Sequence, residues 1–264
     1  MSEKIKVKTM SEFAAEGKEP EFLFWVGCAG SFDDRAKKIT RSFTKLLNKA
    51  GVDFAVLGTE ESCSGDPAKR AGNEFLFQMQ AMTNIEVMNA YNVKKIVTTC
   101  PHCYNTFKNE YPDLGGNYEV YHHTELLQSL LNDGKLKVEK GKYKGINITY
   151  HDPCYLGRGN GQYEAPRKVL HQLEIDIIEM KNHKENALCC GAGGAQMFKE
   201  AEPQKEEIFV KRTRDALETN PQIIVTACAF CNTMITDGVK HYNKENEIKV
   251  LDLAEVLIDN IKED

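Results

Sequence analysis

No apolar run in this sequence approaches the roughly 18 residues that a membrane-crossing helix needs, so no direct membrane span is expected. The opening stretch, MSEKIKVKTMSEFAAEGKEP, is polar and charged and lacks the apolar segment of a secretory signal. Nor is there a basic excess. Lys and Arg number 34 against 39 Asp and Glu, a formal net charge of -5, which argues against a nucleic-acid partner. No GxGxxG follows a strand-like run. Gly157-Arg-Gly-Asn-Gly161 is glycine-rich, but it lacks that spacing and follows a cysteine, so it is a weak phosphate site. The C-x2-C-x2-C-x3-C-P run of ferredoxin clusters is also missing. These absences leave a chain of 264 residues, long enough to bury a core without disulfides.

Cysteine, by contrast, is plentiful. There are nine, an odd number that leaves one over in any full disulfide pairing. The reducing cytosol is the compartment these features fit, and there thiols serve as ligands more readily than as disulfides. They fall into two matching sets. The first is Cys28, Cys63 and Cys100-Pro-His-Cys103; the second is Cys154, Cys189-Cys190 and Cys228-Ala-Phe-Cys231. Cys28 to Cys63 spans 35 positions and Cys154 to Cys190 spans 36; Cys63 to Cys100 spans 37 and Cys190 to Cys228 spans 38. Near-constant spacing indicates a duplicated framework. Thiolates are soft ligands that select zinc, copper(I) or iron–sulfur clusters.

The duplication extends to the surrounding pattern. β-Branched runs at 93–99 and 222–227 read as buried parallel strands ahead of each CxxC, with helices following at 104–110 and 232–242. Strand and helix then recur at 118–121 and 124–131, and at 248–251 and 254–261. Each half also opens alike. Strands at 22–26 and 146–150 lead into helices at 35–50 and 166–173 and further strands at 54–57 and 175–178. The expectation is an α/β fold of two tandem similar halves with parallel sheets and cysteines at the carboxyl ends of strands. The expected organisation is a tail or clasp at 1–20, a first domain at 21–134, a solvated Lys- and Gly-rich linker at 135–145, and a second domain at 146–264.

A CxxC between strand and helix reads as a redox dithiol, half a zinc site or part of an iron–sulfur site. Cys100-Pro-His-Cys103 alone has a redox composition, and a helix N-terminus would lower its thiol pKa. Cys228-Ala-Phe-Cys231 has no such flavour, which favours a shared ligand role. Four thiols match zinc in the first set, but five are too many for one structural zinc. Adjacent thiols such as Cys189-Cys190 suit a larger multi-iron cluster better. Gly191-Ala-Gly-Gly194 lets backbone come close and donate to cluster sulfides.

His151-Asp-Pro-Cys-Tyr-Leu-Gly157, Leu188-Cys-Cys-Gly-Ala-Gly-Gly194 and Cys228-Ala-Phe-Cys231 resemble the CCG cysteine-rich module. That module occurs in a cysteine-rich subunit of heterodisulfide reductase, in iron–sulfur subunits of glycolate and lactate oxidation, and in reductases fed by electron-transfer flavoprotein. The resemblance covers residues 22–261 as two copies. It implies a noncubane [4Fe-4S] cluster on Cys154, Cys189, Cys190, Cys228 and Cys231. The first copy departs from the pattern, with Ser62-Cys63-Ser64 where the family has Cys-Cys-Gly. Cys28, Cys63, Cys100 and Cys103 would then hold a second, different cluster or none. The implied function is an iron–sulfur electron-transfer subunit of an oxidoreductase complex. It would link a flavin-bearing partner to a quinone or a thiol/disulfide acceptor. A larger redox subunit would supply ferredoxin clusters, flavin or membrane helices, and could hold the chain at the membrane periphery. The alternatives are a zinc-stapled binding protein and a metal-free dithiol–disulfide oxidoreductase.

Smaller expectations complete the reading. His122, His123 and His151 near strand ends are candidate ligands or proton donors, or else partly exposed loop residues. Asp152-Pro153 would shape the turn that presents Cys154. Arg158 and Arg167 would neutralise a negative cluster, bind a carboxylate, or simply lie on the surface. Phe75, Phe77, Met79, Met82 and Met88 read as core residues of one long helix over 67–92.

Overall fold

A computed structural model describes residues 5–200 and 206–262. The first half is built on five parallel strands: β1 (Lys8–Thr9), β2 (Phe22–Trp25), β3 (Phe54–Val56), β4 (Lys95–Thr98) and β5 (Glu119–His122), in the order β1-β3-β2-β4-β5. The second half has three, β6 (Ile148–Tyr150), β7 (Ile223–Thr226) and β8 (Lys249–Asp252), also parallel and in that order. The α/β class and the two parallel sheets are as the repeat implied. Continuous apolar runs such as Phe22-Leu-Phe-Trp25, buried throughout, form central strands because helices cover both faces.

The first half carries helices α1 (Met10–Ala15), α2 (Gly27–Phe32), α3 (Asp34–Lys49), α4 (Asp66–Arg70), α5 (Glu74–Ala90), α6 (Pro101–Asn109) and α7 (His123–Asn132). The second carries α8 (Glu164–Gln172), α9 (Ile208–Leu217), α10 (Ala229–His241) and α11 (Leu253–Asp259). None of the described helices is long and apolar enough to cross a membrane. Local rules set the helix starts. Asp33 caps α3 by accepting from Ala36 N at 2.7 Å, and Asp252 caps α11 with Glu255 closing a capping box.

Four expectations are corrected. Among its described residues, 5–20, the N-terminal stretch is not a free tail or a clasp over the other half; residues 1–4 lie outside the described residues. β1 extends the first sheet beside β3, and Met10 and Phe13 of α1 are buried in that half's core. The long helix over 67–92 is two helices, because Gly72 adopts a positive φ of 83° and Asn73 caps a new start by accepting from Leu76 N at 3.1 Å. On α5 only Phe77 and Met88 of the five named residues are core; Phe75, Met79 and Met82 are 76%, 52% and 60% exposed. The strand at 175–178 shrinks to one bridge, Ile148 to Ile177, before the chain turns to place Glu179 on Arg167.

The halves share one core. Phe24, Phe43 and Leu127 of the first pack with Ile148, Tyr150, Leu253 and Leu257 of the second. α3 lies on α10 and α11, and α7 lies on α8. Polar pairs cross the same boundary: buried His123 Nε2 meets Asp252 Oδ1 at 3.0 Å, and half-buried Arg35 Nη1 donates to Glu255 Oε1 at 2.9 Å. The connecting stretch is not wholly solvated either. Leu136 is buried, and Val138 bridges antiparallel to Ile261.

Candidate metal centre

The first thiol set collects at the carboxyl ends of β2, β3 and β4. Cys28 lies in the first turn of α2, entered through Gly27 at a φ of 78°. A Cβ on Gly27 would stand 3.4 Å from Cys103 Sγ, so the backbone passes directly beside the thiols. Glu61 ties the Cys28 turn to the Cys63 loop, accepting from Val26 N at 3.0 Å and Gly27 N at 2.6 Å. Burial raises its carboxyl to about 7, against the pull of those two amides. Cys63 Sγ accepts from Gly65 N at 3.5 Å. Cys100 caps α6, and Cys103 follows in the first turn. Cys28, Cys63, Cys100 and Cys103 line one pocket, together with Ala229 and Phe230 from the other half.

The second set gathers at the ends of β6 and β7. Asp152 holds the turn before Cys154, accepting from Arg167 Nη1 at 2.7 Å, Arg167 Nη2 at 2.9 Å and Lys184 N at 2.8 Å. Arg167 is thus a strut paired with Asp152 and Glu179, and Arg158 donates to Ala187 O just ahead of the Cys189-Cys190 loop. Both arginines shape loops in this structure. Cys189 Sγ accepts from Gly191 N at 3.3 Å, where Gly191 has a φ of 95°. Cys228 caps α10, its Sγ accepting from Cys231 N at 3.5 Å. Cys190, Cys228 and Cys231 are buried, and Cys154 and Cys189 are partly exposed.

The three histidines are not partly exposed: His122 ends β5, His123 opens α7, and His151 follows β6 directly. His122, His123 and His151 are fully buried. Burial, with His123 beside it, holds His122 well below its ordinary pKa; burial and Arg212 do the same to His151. A ring nitrogen of His151, Cys190 Sγ and Cys231 Sγ all lie within 4.8 Å of one another.

The two sites are neighbours. Cys100, Cys103, Cys190, Cys228 and Cys231 belong to one apolar cluster. The His102 ring of the first CxxC packs on Phe230 of the second at 5.3 Å and on Tyr155 at 4.4 Å. His102 Nδ1 meets Asp66 Oδ2 at 2.8 Å, and Asp66 also accepts from Arg70 Nε at 3.1 Å. Burial opposes the charged imidazole, but Asp66 and the nearby thiolates outweigh it and hold His102 up at about 9. Glu61, Asp66, Arg70 and Arg212 carry no sequence signal of their own. Asp66 with His102, Arg212 with His151, and Glu61 with the Val26 and Gly27 amides are pairings that only the fold brings near.

All nine cysteines are free thiols. Within each set they hydrogen-bond to one another. Cys28 donating to Cys63 brings Cys63 down to about 7, and Cys103 brings Cys100 down to about 6. In the second set Cys154 and Cys190 lower Cys189, while Cys154, Cys190 and Cys231 are pushed up. Crowded, desolvated thiols that share protons are poised to lose them to a cation. Four sulfurs on one side and five on the other, all soft and walled by apolar side chains and close backbone, fit thiolate-bound iron or zinc.

Residues 22–108 and 148–236 each match the cysteine-rich domain CCG. The chain belongs to the CCG cysteine-rich domain family. Its two CCG domains stand in tandem, one per sheet. Over 248 residues it is 52% identical to "EtfAB:quinone oxidoreductase" of Syntrophomonas wolfei, covering 92% of this chain and 34% of that protein. It is 48% identical over 257 residues to "Probable iron-sulfur-binding oxidoreductase FadF" of Bacillus subtilis, covering 97% and 36% respectively. It is 36% identical over 226 residues to a subunit of "Dihydromethanophenazine:CoB--CoM heterodisulfide reductase" of Methanosarcina barkeri, covering 83% and 54%. The tandem CCG unit thus spans about a third of the first two relatives. Glutamate racemase of Aquifex pyrophilus overlays 90% of this chain and 80% of its own at 13% identity, but a TM-score of 0.37 is too low to argue from.

Proposed function

We propose that this chain is an iron–sulfur electron-transfer unit of an oxidoreductase complex. Cys154, Cys189, Cys190, Cys228 and Cys231 would hold a noncubane-type [4Fe-4S] cluster. Cys28, Cys63, Cys100 and Cys103 would hold a second, different cluster. The observation that carries this reading is that buried thiols of both sets, Cys100 and Cys103 of the first and Cys190, Cys228 and Cys231 of the second, share one apolar cluster. Zinc needs four ligands and no neighbouring thiol site, so the paired arrangement favours iron. A metal-free dithiol enzyme would need only one pair.

When bound, such clusters supply one-electron chemistry. The chain's own contribution is to present thiolates, exclude water and direct backbone amides at sulfur. Gly65 N and Gly191 N already donate to Cys63 and Cys189. Adjacent sites suit a relay between a flavin-bearing partner and an acceptor. Higher identity to the relative named as a quinone oxidoreductase than to the relative from heterodisulfide reductase favours quinone over disulfide. A larger redox subunit or segment is the expected companion. Iron and acid-labile sulfide assays on anaerobically purified protein test the reading. Both should be present; zinc alone would support a stapled binding protein, and neither metal would support the dithiol enzyme.

A further inference from the structure

A neutral imidazole has one ring nitrogen that donates and one that accepts. At His151 a neighbour has fixed which is which. Arg212 Nε donates to His151 Nδ1 at 2.9 Å, and guanidinium nitrogens cannot accept. Nδ1 is therefore the acceptor, and the ring proton sits on Nε2. Arg212 is itself anchored: Nη1 donates to Asp215 Oδ2 at 2.6 Å and to Asn182 O at 2.7 Å. The side chains of His151 and Arg212 are both fully buried, so water cannot substitute for either partner.

His151 Nε2 has no hydrogen-bond partner in the protein. A buried N–H without an acceptor is rare and calls for an explanation. The potential acceptors close to the ring are Cys190 Sγ and Cys231 Sγ, each within 4.8 Å of a ring nitrogen of His151. Ligation of a metal by Nε2 would leave the ring with no proton on either nitrogen, because Nδ1 already accepts from Arg212. The contact with Arg212 therefore leaves Nε2 as the ring's only N–H donor, without an acceptor in the protein.

The first half repeats the device with a different side chain. Trp25 and His151 each stand three residues ahead of the first cysteine of their set. Trp25 pairs with Thr98 of β4, and His151 N donates to Val225 O of the corresponding strand β7 at 2.9 Å. An indole nitrogen can only donate, and Trp25 Nε1 is likewise buried without a partner. Its neighbouring Cδ1 is 4.0 Å from where a Gly27 Cβ would stand, and Cys103 Sγ is 3.4 Å from the same point. Two unlike residues at one position thus share a single property, a buried ring N–H without a partner in the half's thiol-bearing end.

We propose that His151 is a positioning residue that donates Nε2–H to the sulfurs of the second site and raises its reduction potential, without ligating the metal. Reduction adds negative charge at sulfur, so an N–H donor stabilises the reduced form more than the oxidised one. The inference rests on the iron–sulfur reading above.

The test uses the full chain purified anaerobically, as wild type, His151→Leu and His151→Gln. Iron assays, EPR-monitored redox titration and ENDOR are the readouts. His151→Leu should keep its iron while the second site's midpoint falls by about 59 mV, a tenfold shift in its oxidised-to-reduced ratio for one electron. The first site should not move. His151→Gln, which restores an N–H donor, should recover most of that fall. Wild-type ENDOR should show an exchangeable proton and only weak nitrogen coupling at the second site. Strong nitrogen coupling would make His151 a ligand and overturn the inference even if the leucine variant fails to fold. Retained iron with unmoved potentials in His151→Leu would overturn it alone. Absence of iron from the second site would overturn both it and the iron–sulfur reading.

Discussion

Ser62 Oγ donates to Asn84 Oδ1 at 2.7 Å, and Asn84 Nδ2 donates to Cys63 O at 2.9 Å and Tyr111 Oη at 3.0 Å. The hydroxyl that replaces the extra thiol of the second half is therefore engaged within the protein. Oxygen with so high a pKa is also a poor ligand for iron, so on the proposed reading the first site would have four thiolate ligands. The second site should depend on its cysteines directly. Cys190→Ala or Cys228→Ala should remove one EPR species and part of the iron; unchanged iron and spectra in both would contradict the ligand assignment. Arg167 acts on the same site at one remove. Arg167→Ala leaves Asp152 and Glu179 unpaired in a mostly buried setting, and should cost about 3 kcal/mol in denaturant titrations. A loss below about 0.5 kcal/mol would show the strut to be dispensable. At this scale the cysteines were legible because their chemistry and spacing are local facts of the sequence. Arg167 and Arg212 were not, because their roles are defined by Asp152, Glu179 and His151, which only the fold brings near.

Element by element, strands preceding CxxC were readable, since β-branched runs bounded by Cys-Pro or Cys-Ala have few alternatives. The helix over 67–92 was harder. Its apolar residues are plentiful on all sides, so periodicity could not say which face is covered or that Gly72-Asn73 divides it. Phe75, Met79 and Met82 recur at i, i+4 and i+7, yet they lie opposite the face formed by Phe77, Ala81, Ile85 and Met88. Replacing Met79 or Met82 with Gln should change stability by less than about 0.5 kcal/mol, as for exposed positions generally. A loss of about 2 kcal/mol or more in chemical denaturation would show the stripe to be packed. α10 presents the opposite case. A Cβ at Gly238 would stand 1.9 Å from Thr213 Oγ1 and 3.2 Å from Phe209 O on α9. Gly238→Ala should destabilise by about 1–3 kcal/mol, with partial recovery in Gly238→Ala/Thr213→Ala. Equal stability of single variant and wild type would mean the two helices are not in close contact.

The repeat announced two halves, but nothing in the pattern showed that they share a core or that their thiol sites adjoin. That follows from α3 packing on α10 and α11 and from pairs such as His123–Asp252, whose partners are 129 positions apart. Residues 146–264 expressed alone would expose Ile148, Tyr150, Leu253 and Leu257, which the first half covers. That fragment should lack a cooperative thermal transition, and a sharp transition would show the halves to be independent. On the proposed reading, adjacency gives the unlike thiol sets their functional meaning: two neighbouring clusters of different potential would pass electrons singly, whereas twin clusters would act together. An EPR-monitored redox titration of the anaerobically purified wild-type chain tests this most directly. The account predicts two unlike iron–sulfur species with separate midpoints, and two identical noncubane signatures would contradict it.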